Sequence, residues 1–305
     1  DEGAMEIPVE VYNAFCDTLH DVSARYVLAA GDSVVYSVEE NCGDIPMGKN
    51  NMLPGFEFKP SSVISDVPVK VQLRVEVDAA NAPQARNSWD LWVYPAIDVA
   101  EASPGIYVAD SLDSMACGVL ARGGKVLLTA AGKVRFGSDV KQTYLPVFWN
   151  TSWFKMRPPH TTGASIDRDH PLFREFPTDE WANLNWWELL NNAQVINLEH
   201  FTAKYQPPVQ PIYTWHVSRK LGMLVEANVL GGKLLMTTMD IDSDLDKRIV
   251  ARQMRKAILD YMDSDRFKPD ITLDEQVIAD LFTKDADPVD MFTRESPDEL
   301  KPKLK

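Results

Sequence analysis

The chain has little cysteine and no long apolar run, and each absence excludes a class of protein. Its three cysteines, Cys16, Cys42 and Cys117, show no Cys-x-x-Cys spacing, which argues against a disulfide framework and a zinc knuckle. No apolar run approaches the ~20 residues that a membrane-spanning helix needs. We therefore expect a globular protein without a membrane span.

Basic charge is scarce as well. The chain has 31 Lys and Arg residues against 45 Asp and Glu residues, a formal net charge of -14. This balance argues against a nucleic-acid partner, because phosphate binding needs concentrated basic side chains. The histidines also lack the paired spacing of a metal site, so we expect no metal and no other cofactor. Four of them lie in separate segments, at His160, His170, His200 and His216.

The length of 305 residues is too great for one ordinary hydrophobic core, so two domains are expected. Residues 1–22 predict a short helix that leads into the first domain. Apolar and polar residues then alternate over 69–77 and again over 87–94, where Pro95 ends the pattern. Strands separated by Gly, Pro and Asn loops, without helices, are typical of a β-sandwich. We therefore predict an all-β, immunoglobulin-like sandwich over residues 23–97.

The pattern of the sequence changes after Pro95. Residues 105–109 are strand-like, residues 112–120 have helical spacing, and residues 125–129 read as a buried strand. A strand, a helix and a second strand in this order predict a βαβ unit with parallel strands.

Two further elements complete the predicted second domain. Residues 223–239 predict a hairpin that turns at 230–232, and residues 247–262 predict an amphipathic helix. We therefore predict a three-layer α/β domain over residues 98–263. Residues 264–305 are polar and interrupted by proline, so we expect a C-terminal arm with one short docking helix.

The most informative stretch is the loop predicted over residues 148–163, where prolines prevent a continuous helix. Loops lie at the surface and carry recognition. Flat rings beside planar hydrogen-bonding groups fit either a sugar face or a neighbouring domain, although a single tryptophan is more often a core or interface residue. The candidate contact residues are Trp149, Asn150, Trp153, Arg157 and His160, together with Trp187.

Three features suggest chemistry, and each has a simpler structural interpretation. Cys117 lies about two turns inside the predicted helix, so we expect an inert thiol rather than a nucleophile. Residues 240–246 resemble a calcium loop but have Leu245 and Ala251 where Gly and Glu are required, which favours a helix cap. Glu188 is flanked by tryptophans, and its segment is more typical of a packed amphipathic helix. We expect no catalytic residue.

Four segments carry a resemblance to a known family: residues 148–163, 169–178, 186–189 and 210–212. They resemble the C-terminal region of large family 2 glycoside hydrolases from polysaccharide-degrading Bacteroides-type bacteria. Residues 12–16 are similar to the exit from the catalytic barrel of these enzymes. Residues 88–95 are similar to the last strand of the immunoglobulin-like domain that follows the barrel.

This resemblance implies an immunoglobulin-like sandwich followed by an amidotransferase-like α/β domain, akin to the trimerisation-type domain of some β-galactosidases. The catalytic Glu residues of that family belong to the upstream barrel, so no catalytic residue is carried over. The chain starts at Asp1 rather than Met, from which we expect a piece of a longer protein. The resemblance implies that this protein is periplasmic or secreted.

The function expected from the resemblance is that of a non-catalytic C-terminal accessory region. Such a region supports the catalytic barrel, extends the rim of the substrate cleft, or mediates oligomerisation. Its candidate partners are the barrel of the same protein, an oligosaccharide and further copies of the chain. Two alternatives remain open: a stand-alone carbohydrate-binding protein, and an amidotransferase-like hydrolase that uses Cys117.

Overall fold

The computed structural model describes residues 3–63, 65–144, 161–213 and 218–287. The protein is rich in β-structure, with 38% of its residues in strands and 18% in helices. The chain divides into two units, Asp1–Ile97 and Asp98–Lys305, and each unit has its own hydrophobic core.

The N-terminal unit is built from strands. Four long strands form an antiparallel sheet in the order β4-β3-β7-β8, and four short strands pair as β1 with β6 and β2 with β5. The eight strands are β1 (Met5–Ile7), β2 (Glu10–Tyr12), β3 (Leu19–Ala30), β4 (Ser33–Ile45), β5 (Asn50–Met52), β6 (Phe56–Phe58), β7 (Val69–Ala79) and β8 (Ala82–Val93). A single 3-10 turn, Pro60–Val63, is the only helical element in the described part of this unit.

The alternating pattern of β7 is confirmed as a strand with one buried face. Val71, Leu73 and Val75 are buried while the residues between them are half-exposed, as a period of two requires. On the neighbouring strand β3, Tyr26 is fully buried and stacks on Phe56 with ring centroids 5.6 Å apart. This face of the sheet is the core of the N-terminal unit.

The helix predicted over residues 1–22 is wrong, because the described part of this segment forms β1, β2 and the start of β3. Val11 of β2 pairs with Asn51 of β5, so the backbone groups find partners across strands. Asn13 is buried, and its side-chain amide donates to the carbonyl oxygens of Asp17 and Ile45 at 3.0 Å each. Asn51 and Ile45 lie more than thirty positions away from their partners, and these contacts override a weak helical pattern.

The C-terminal unit contains a seven-stranded mixed sheet in the order β11-β13-β15-β16-β10-β9, with β17 beside β15. β12 and β14 form a separate pair. The strands are β9 (Ile106–Ala109), β10 (Lys125–Thr129), β11 (Thr161–Ile166), β12 (Ile196–Asn197), β13 (Val209–Tyr213), β14 (Leu221–Gly222), β15 (Leu224–Val229), β16 (Gly232–Thr237) and β17 (Thr272–Leu273). The α-helices are α1 (Ser114–Ala121), α2 (Trp187–Leu190), α3 (Ile249–Asp263) and α4 (Glu275–Thr283).

The predicted βαβ unit is confirmed. β9 and β10 are parallel neighbours, and α1 connects them. The side chain of Asp113 caps α1 by accepting a 2.6 Å hydrogen bond from the amide of Ala116, which satisfies one of the free donors at a helix start. The hairpin is confirmed too, since β15 and β16 are antiparallel and Leu230 and Gly231 both have positive φ.

The amphipathic helix is confirmed as α3. Its inward face buries Met254, Ala257, Ile258 and Tyr261, whereas Ile249, which the pattern places inward, is 41% exposed. The first turn of a helix is packed on fewer sides than its central turns, so an apolar side chain there remains partly exposed to solvent.

The predicted C-terminal arm is corrected for residues 264–287. This segment adds β17 to the main sheet beside β15. It then forms α4, close to the predicted docking helix, and buries Ile278 and Leu281 in the core of the C-terminal unit. Burial of these two apolar side chains stabilises the docked helix.

Candidate functional site

A cavity of about 510 Å³ opens in the C-terminal unit where two parallel strands end side by side. β10 and β16 finish with Thr129 opposite Thr237. The chain leaves β10 through a turn in which Gly132 has a φ of 70°, and it leaves β16 through Thr238. In sheets of parallel strands covered by helices, ligands bind outside the carboxyl ends of the strands. The position alone therefore makes this cavity the candidate site.

An ion-pair network forms one wall of the cavity. Arg248, at the start of α3, donates from Nε to Oε1 of Glu188 at 2.8 Å. Its Nη1 lies 3.0 Å from Oδ2 of Asp240, and its Nη2 donates to the carbonyl oxygen of Asp240 at 2.9 Å. One guanidinium therefore joins α2, the loop after β16 and the start of α3. All three of its nitrogen atoms contact oxygen atoms of Glu188 or Asp240.

Asp240 is held as a carboxylate. Burial opposes its ionisation, but hydrogen bonds from the amides of Ser243 and Asp242, with the charge of Arg248, outweigh burial and lower its pKa. Its Oδ1 accepts both amides, at 3.0 and 3.1 Å. Both carboxylates of this wall are therefore bound to the same cation, Arg248.

Two residues that line the cavity carry buried polar atoms without partners among the described residues. Thr238 is 1% exposed, and its Oγ1 has no hydrogen-bond partner among the described residues. The same holds for Oε1 of Gln194, whose Nε2 donates to the carbonyl oxygen of Val134. Buried polar atoms in folded proteins are almost always hydrogen-bonded, so these two atoms are exceptions.

A second wall is formed by two segments that pair through their backbones. The amide of Gln142 donates to the carbonyl oxygen of Ala193, and the amide of Asn192 donates to that of Gln142, both at 2.8 Å. Asn192 has a φ of 63°, a left-handed conformation that Asn tolerates better than most residues. The remaining polar side chains that line the cavity are those of Ser138, Lys141, Asn191 and Asn192.

Two tryptophans, Trp186 and Trp187, immediately precede Glu188 in the sequence. Trp187 directly precedes Glu188, is 49% exposed and stacks on Tyr144 with ring centroids 5.3 Å apart and an interplanar angle of 27°. Trp186 is fully buried, and its Nε1 donates to Oγ1 of Thr178 at 2.8 Å. Adjacent tryptophans thus divide their roles, one in the core and one facing solvent.

Of the residues predicted to make contacts, the structure describes Trp187. The other five lie outside the described residues: Trp149, Asn150, Trp153, Arg157 and His160. The network of Glu188, Asp240 and Arg248 was missed as a site. The acidic run 240–246 was its visible signal, but nothing in the sequence joins Arg248 to a glutamate sixty residues earlier.

Residues 240–246 were predicted to cap α3, but neither Asp240 nor Asp242 caps this helix with its side chain. The start of α3 has no side-chain cap. Asp240 binds turn amides and Arg248, while Asp242 pairs with Arg255. No group of three or more His, Cys, Asp or Glu residues in the described segments is arranged to hold a metal ion.

Cys117 lies in α1, where its thiol is partly buried. Burial, with the carboxylates of Glu275 and Asp113, raises its pKa. The thiol therefore stays protonated near neutral pH, and the reactive thiolate is rare.

The chain thus combines two units. The N-terminal unit is built from strands, and the C-terminal unit contains a βαβ element and a polar cavity. A family described as "Domain of unknown function (DUF8487)" matches residues 107–283, and one described as "Domain of unknown function (DUF8488)" matches residues 4–95. The chain belongs to the DUF8487 family, whose match covers more than half of it. A comparison with curated proteins gave no match. Among the described helices, none has the length and apolarity to cross a membrane.

Proposed function

We propose that this chain is the non-catalytic C-terminal accessory region of a periplasmic or secreted family 2 glycoside hydrolase of the β-galactosidase-like kind. In this proposal the N-terminal unit is an immunoglobulin-like sandwich and the C-terminal unit is an amidotransferase-like α/β domain. The resemblance of the sequence segments supports it, as does the order of an all-β unit followed by a unit with a βαβ element.

The state of the acidic groups supports a non-catalytic role. Glycoside hydrolysis needs two carboxyl groups about 5–9 Å apart that are free to donate a proton and to attack or activate water. Glu188 and Asp240 are instead both bound to Arg248. A thiol mechanism has equally little support, because the raised pKa of Cys117 opposes formation of a thiolate.

The observation that carries the accessory role is the exposed indole of Trp187, held in place by stacking on Tyr144. A large ring that stays half in solvent while its orientation is fixed is well suited to contact a sugar face or a neighbouring domain. Trp149, Asn150, Trp153, Arg157 and His160 follow Tyr144 within sixteen residues.

The test compares the whole product of the gene with this chain alone. We expect the whole protein to hydrolyse aryl β-glycosides and this chain to have no such activity. In the whole protein, Trp187→Ala should lower kcat/KM or the melting temperature, whereas Met115→Ala should leave both unchanged. Met115 is a suitable control because it is similarly exposed, at 56%, but lies on α1. Hydrolysis by this chain alone, or an effect of Trp187→Ala no larger than that of the control, would refute the proposal.

A further inference from the structure

We propose that a second cavity in the C-terminal unit, lined by Glu226, binds the ammonium group of a small organic amine. The cavity has a volume of about 390 Å³, and small-molecule sites have volumes of about 300–1,000 Å³. It shares no lining residue with the cavity at the ends of β10 and β16. The proposal does not depend on the accessory role, because it is argued from the charges and contacts of this cavity.

The second cavity lies at an interruption of the main sheet. One side of β15 pairs with β16 along its length, whereas the other side pairs with β13 at Leu224 and with β17 at Asn228 and Val229. Between these contacts, the amide of Glu226 donates to the hydroxyl of Tyr205 at 3.0 Å rather than to a strand. The interruption therefore leaves Glu226 beside loop residues and opens space for a ligand.

Glu226 supplies a buried carboxylate oxygen that is open to this cavity. The residue is 8% exposed, and its Oε2 accepts the hydroxyl of Tyr261 at 2.9 Å. Its Oε1 lies 3.6 Å from Nε2 of His170, a separation too long for a hydrogen bond. No described residue donates a hydrogen bond to Oε1, and this oxygen is not among the fully enclosed atoms that lack a partner. A ligand in the cavity can therefore reach it.

The ring of His170 leaves the charge of Glu226 uncompensated. Nδ1 of His170 accepts a hydrogen bond from the amide of Leu172 at 3.4 Å. A ring nitrogen that accepts a hydrogen bond carries no proton, so this ring is neutral and its proton lies on Nε2. Among the described residues, no Lys or Arg forms an ion pair with Glu226. Burying a charge without a partner is costly, so a bound cation stabilises this carboxylate.

The charges of the lining select a cation. Asp167 and Asp270 add their charges to that of Glu226, and Lys204 is the only Lys or Arg in the lining. Among the described residues, Lys204 forms no ion pair with any of these three acids. Burial, followed by the charges of Glu226 and Asp270, raises the pKa of Tyr261, so these two carboxylates act on the same small region. A cavity lined by an excess of one charge concentrates ligands of the opposite charge.

The fold holds Asp270 in place at this cavity. Nδ2 of Asn228, on β15, donates to the carbonyl oxygen of Pro269 at 2.8 Å and to that of Ile271 at 3.1 Å. The backbone on both sides of Asp270 is thus fastened to the strand that carries Glu226. Charged groups that are already held by the fold lose little conformational entropy when a ligand binds.

An organic cation fits the cavity better than a metal ion. No group of three or more His, Cys, Asp or Glu residues in the described segments is arranged to hold a metal ion. An ammonium group needs no such convergence, because it can donate to Oε1 of Glu226 while Asp167 and Asp270 attract it over a longer distance. Pro208 and Ile271 also line the cavity, and they offer apolar surface to the hydrocarbon part of an amine.

The experiment is a calorimetric titration of the full chain with butylamine, at neutral pH in a phosphate buffer free of amines. Butanol and butyrate are probes of similar size that are neutral and anionic, and Mg²⁺ tests for a general cation site. We expect saturable binding of butylamine, weakened by added salt, and no binding of butanol or butyrate. Absence of butylamine binding, equal binding of butanol, or tighter binding of Mg²⁺ would overturn the proposal.

A further probe separates a free amine from a lysine side chain of another protein. Nα-acetyl-lysine amide carries the same ammonium group on a larger body. Because the cavity has the size of a small-molecule site, we expect this probe to bind more weakly than butylamine. Binding of the lysine amide without binding of butylamine would overturn a free amine as the ligand.

Two variants locate the binding in this cavity. Glu226→Gln keeps an oxygen that can accept the hydroxyl of Tyr261, but it removes the charge and should weaken amine binding about tenfold or more. Lys204→Met removes a like charge from the lining, where Lys204 is exposed, and should strengthen binding about twofold to fivefold. Unchanged affinity in Glu226→Gln, or weaker binding in Lys204→Met, would overturn the assignment.

Asp270→Asn and Asp265→Asn form a matched pair. Both aspartates are exposed and follow α3 in the same segment, but only Asp270 lines the cavity. Asp270→Asn should weaken amine binding about twofold to fivefold, whereas Asp265→Asn should leave it unchanged. Equal losses in the two variants would show that the overall charge of the chain attracts the amine and would contradict a local site.

Discussion

The hydroxyl of Tyr261 donates a 2.9 Å hydrogen bond to Oε2 of Glu226, and both residues are buried. The bond ties α3 to the middle of β15. The other carboxylate oxygen of Glu226 lies 3.6 Å from Nε2 of His170, and the backbone amide of Glu226 donates to the hydroxyl of Tyr205 at 3.0 Å. A buried acid is thus kept inside the unit by polar neighbours on three other segments.

Tyr261→Phe should lower the free energy of unfolding by about 1–3 kcal/mol, because it leaves a buried carboxylate oxygen without its donor. Urea denaturation of both proteins measures the difference. Tyr36→Phe is the control, since Tyr36 is 45% exposed and should change stability by less than about 0.5 kcal/mol. Equal stability of Tyr261→Phe and the parent protein would mean that the bond contributes nothing.

The stability of the N-terminal unit should fall in alkali because of Tyr26. Burial, with contributions from Cys42 and Glu40, raises the pKa of Tyr26 to about 12, against about 10 in an unfolded chain. Between these values the unfolded state releases its proton first, so unfolding is favoured as the pH rises. The contribution is complete below about pH 10 and is lost as the pH approaches 12.

Tyr26→Phe tests this expectation through the slope of stability against pH. The variant also loses the 2.6 Å hydrogen bond from the hydroxyl to the carbonyl oxygen of Pro54, which lowers stability by a similar amount across neutral pH. Above about pH 10 the parent protein should lose stability faster than the variant. Parallel curves of stability against pH over the alkaline range would contradict a raised pKa of Tyr26 in the folded protein.

Two neighbouring threonines should respond oppositely to the same substitution. Oγ1 of Thr237 donates to the carbonyl oxygen of Met223 at 3.0 Å and accepts from the amide of Met239 at 3.1 Å, whereas Oγ1 of Thr238 has no partner among the described residues. Thr237→Val should cost about 1–3 kcal/mol. Thr238→Val should be neutral or stabilising, because it removes a buried, unpaired hydroxyl. Thermal or urea unfolding distinguishes them, and equal losses would contradict the described contacts.

Gly232 allows α1 to approach β16 closely. A Cβ at this position would lie 2.6 Å from the carbonyl oxygen of Gly124 and 2.7 Å from Cα and the carbonyl oxygen of Leu120. Gly232→Ala should therefore cost about 3 kcal/mol, since backbone atoms must move.

The neighbouring position is the control for Gly232→Ala. Gly231 has a φ of 88° but no atom near its missing Cβ. Gly231→Asn should therefore cost less than about 1 kcal/mol, because Asn tolerates positive φ in a hairpin turn. If chemical denaturation shows equal costs for the two variants, the close approach of α1 is not the reason for glycine at 232.

The three cysteines should differ in their rates of alkylation. Cys16 is exposed, whereas burial raises the pKa of Cys42 and of Cys117. Mass spectrometry after brief treatment with iodoacetamide at neutral pH should find Cys16 modified first. Modification of Cys117 ahead of Cys16 would restore the hydrolase alternative.

Local patterns predicted the elements whose partners are near in sequence. The strict alternation over 69–77 identified β7, the spacing of 112–120 identified α1 between two parallel strands, and the hairpin at 230–232 formed as expected. β7 buries one face along its length, so the period of its sequence reports the geometry directly. α3 buries one face except at its start, where Ile249 is exposed.

The sequence by itself also determined the balance of charge and the scarcity of cysteine. Only the tertiary structure showed that Trp187 is exposed while Trp186 is buried. Only the tertiary structure decided that residues 5–12 form strands, because β5 and β6 supply their backbone partners. The tertiary structure alone also brings Glu188, Asp240 and Arg248 into one network at the ends of β10 and β16. Hydrogen bonds and ion pairs act over a few ångströms in space, and a linear sequence does not contain those distances.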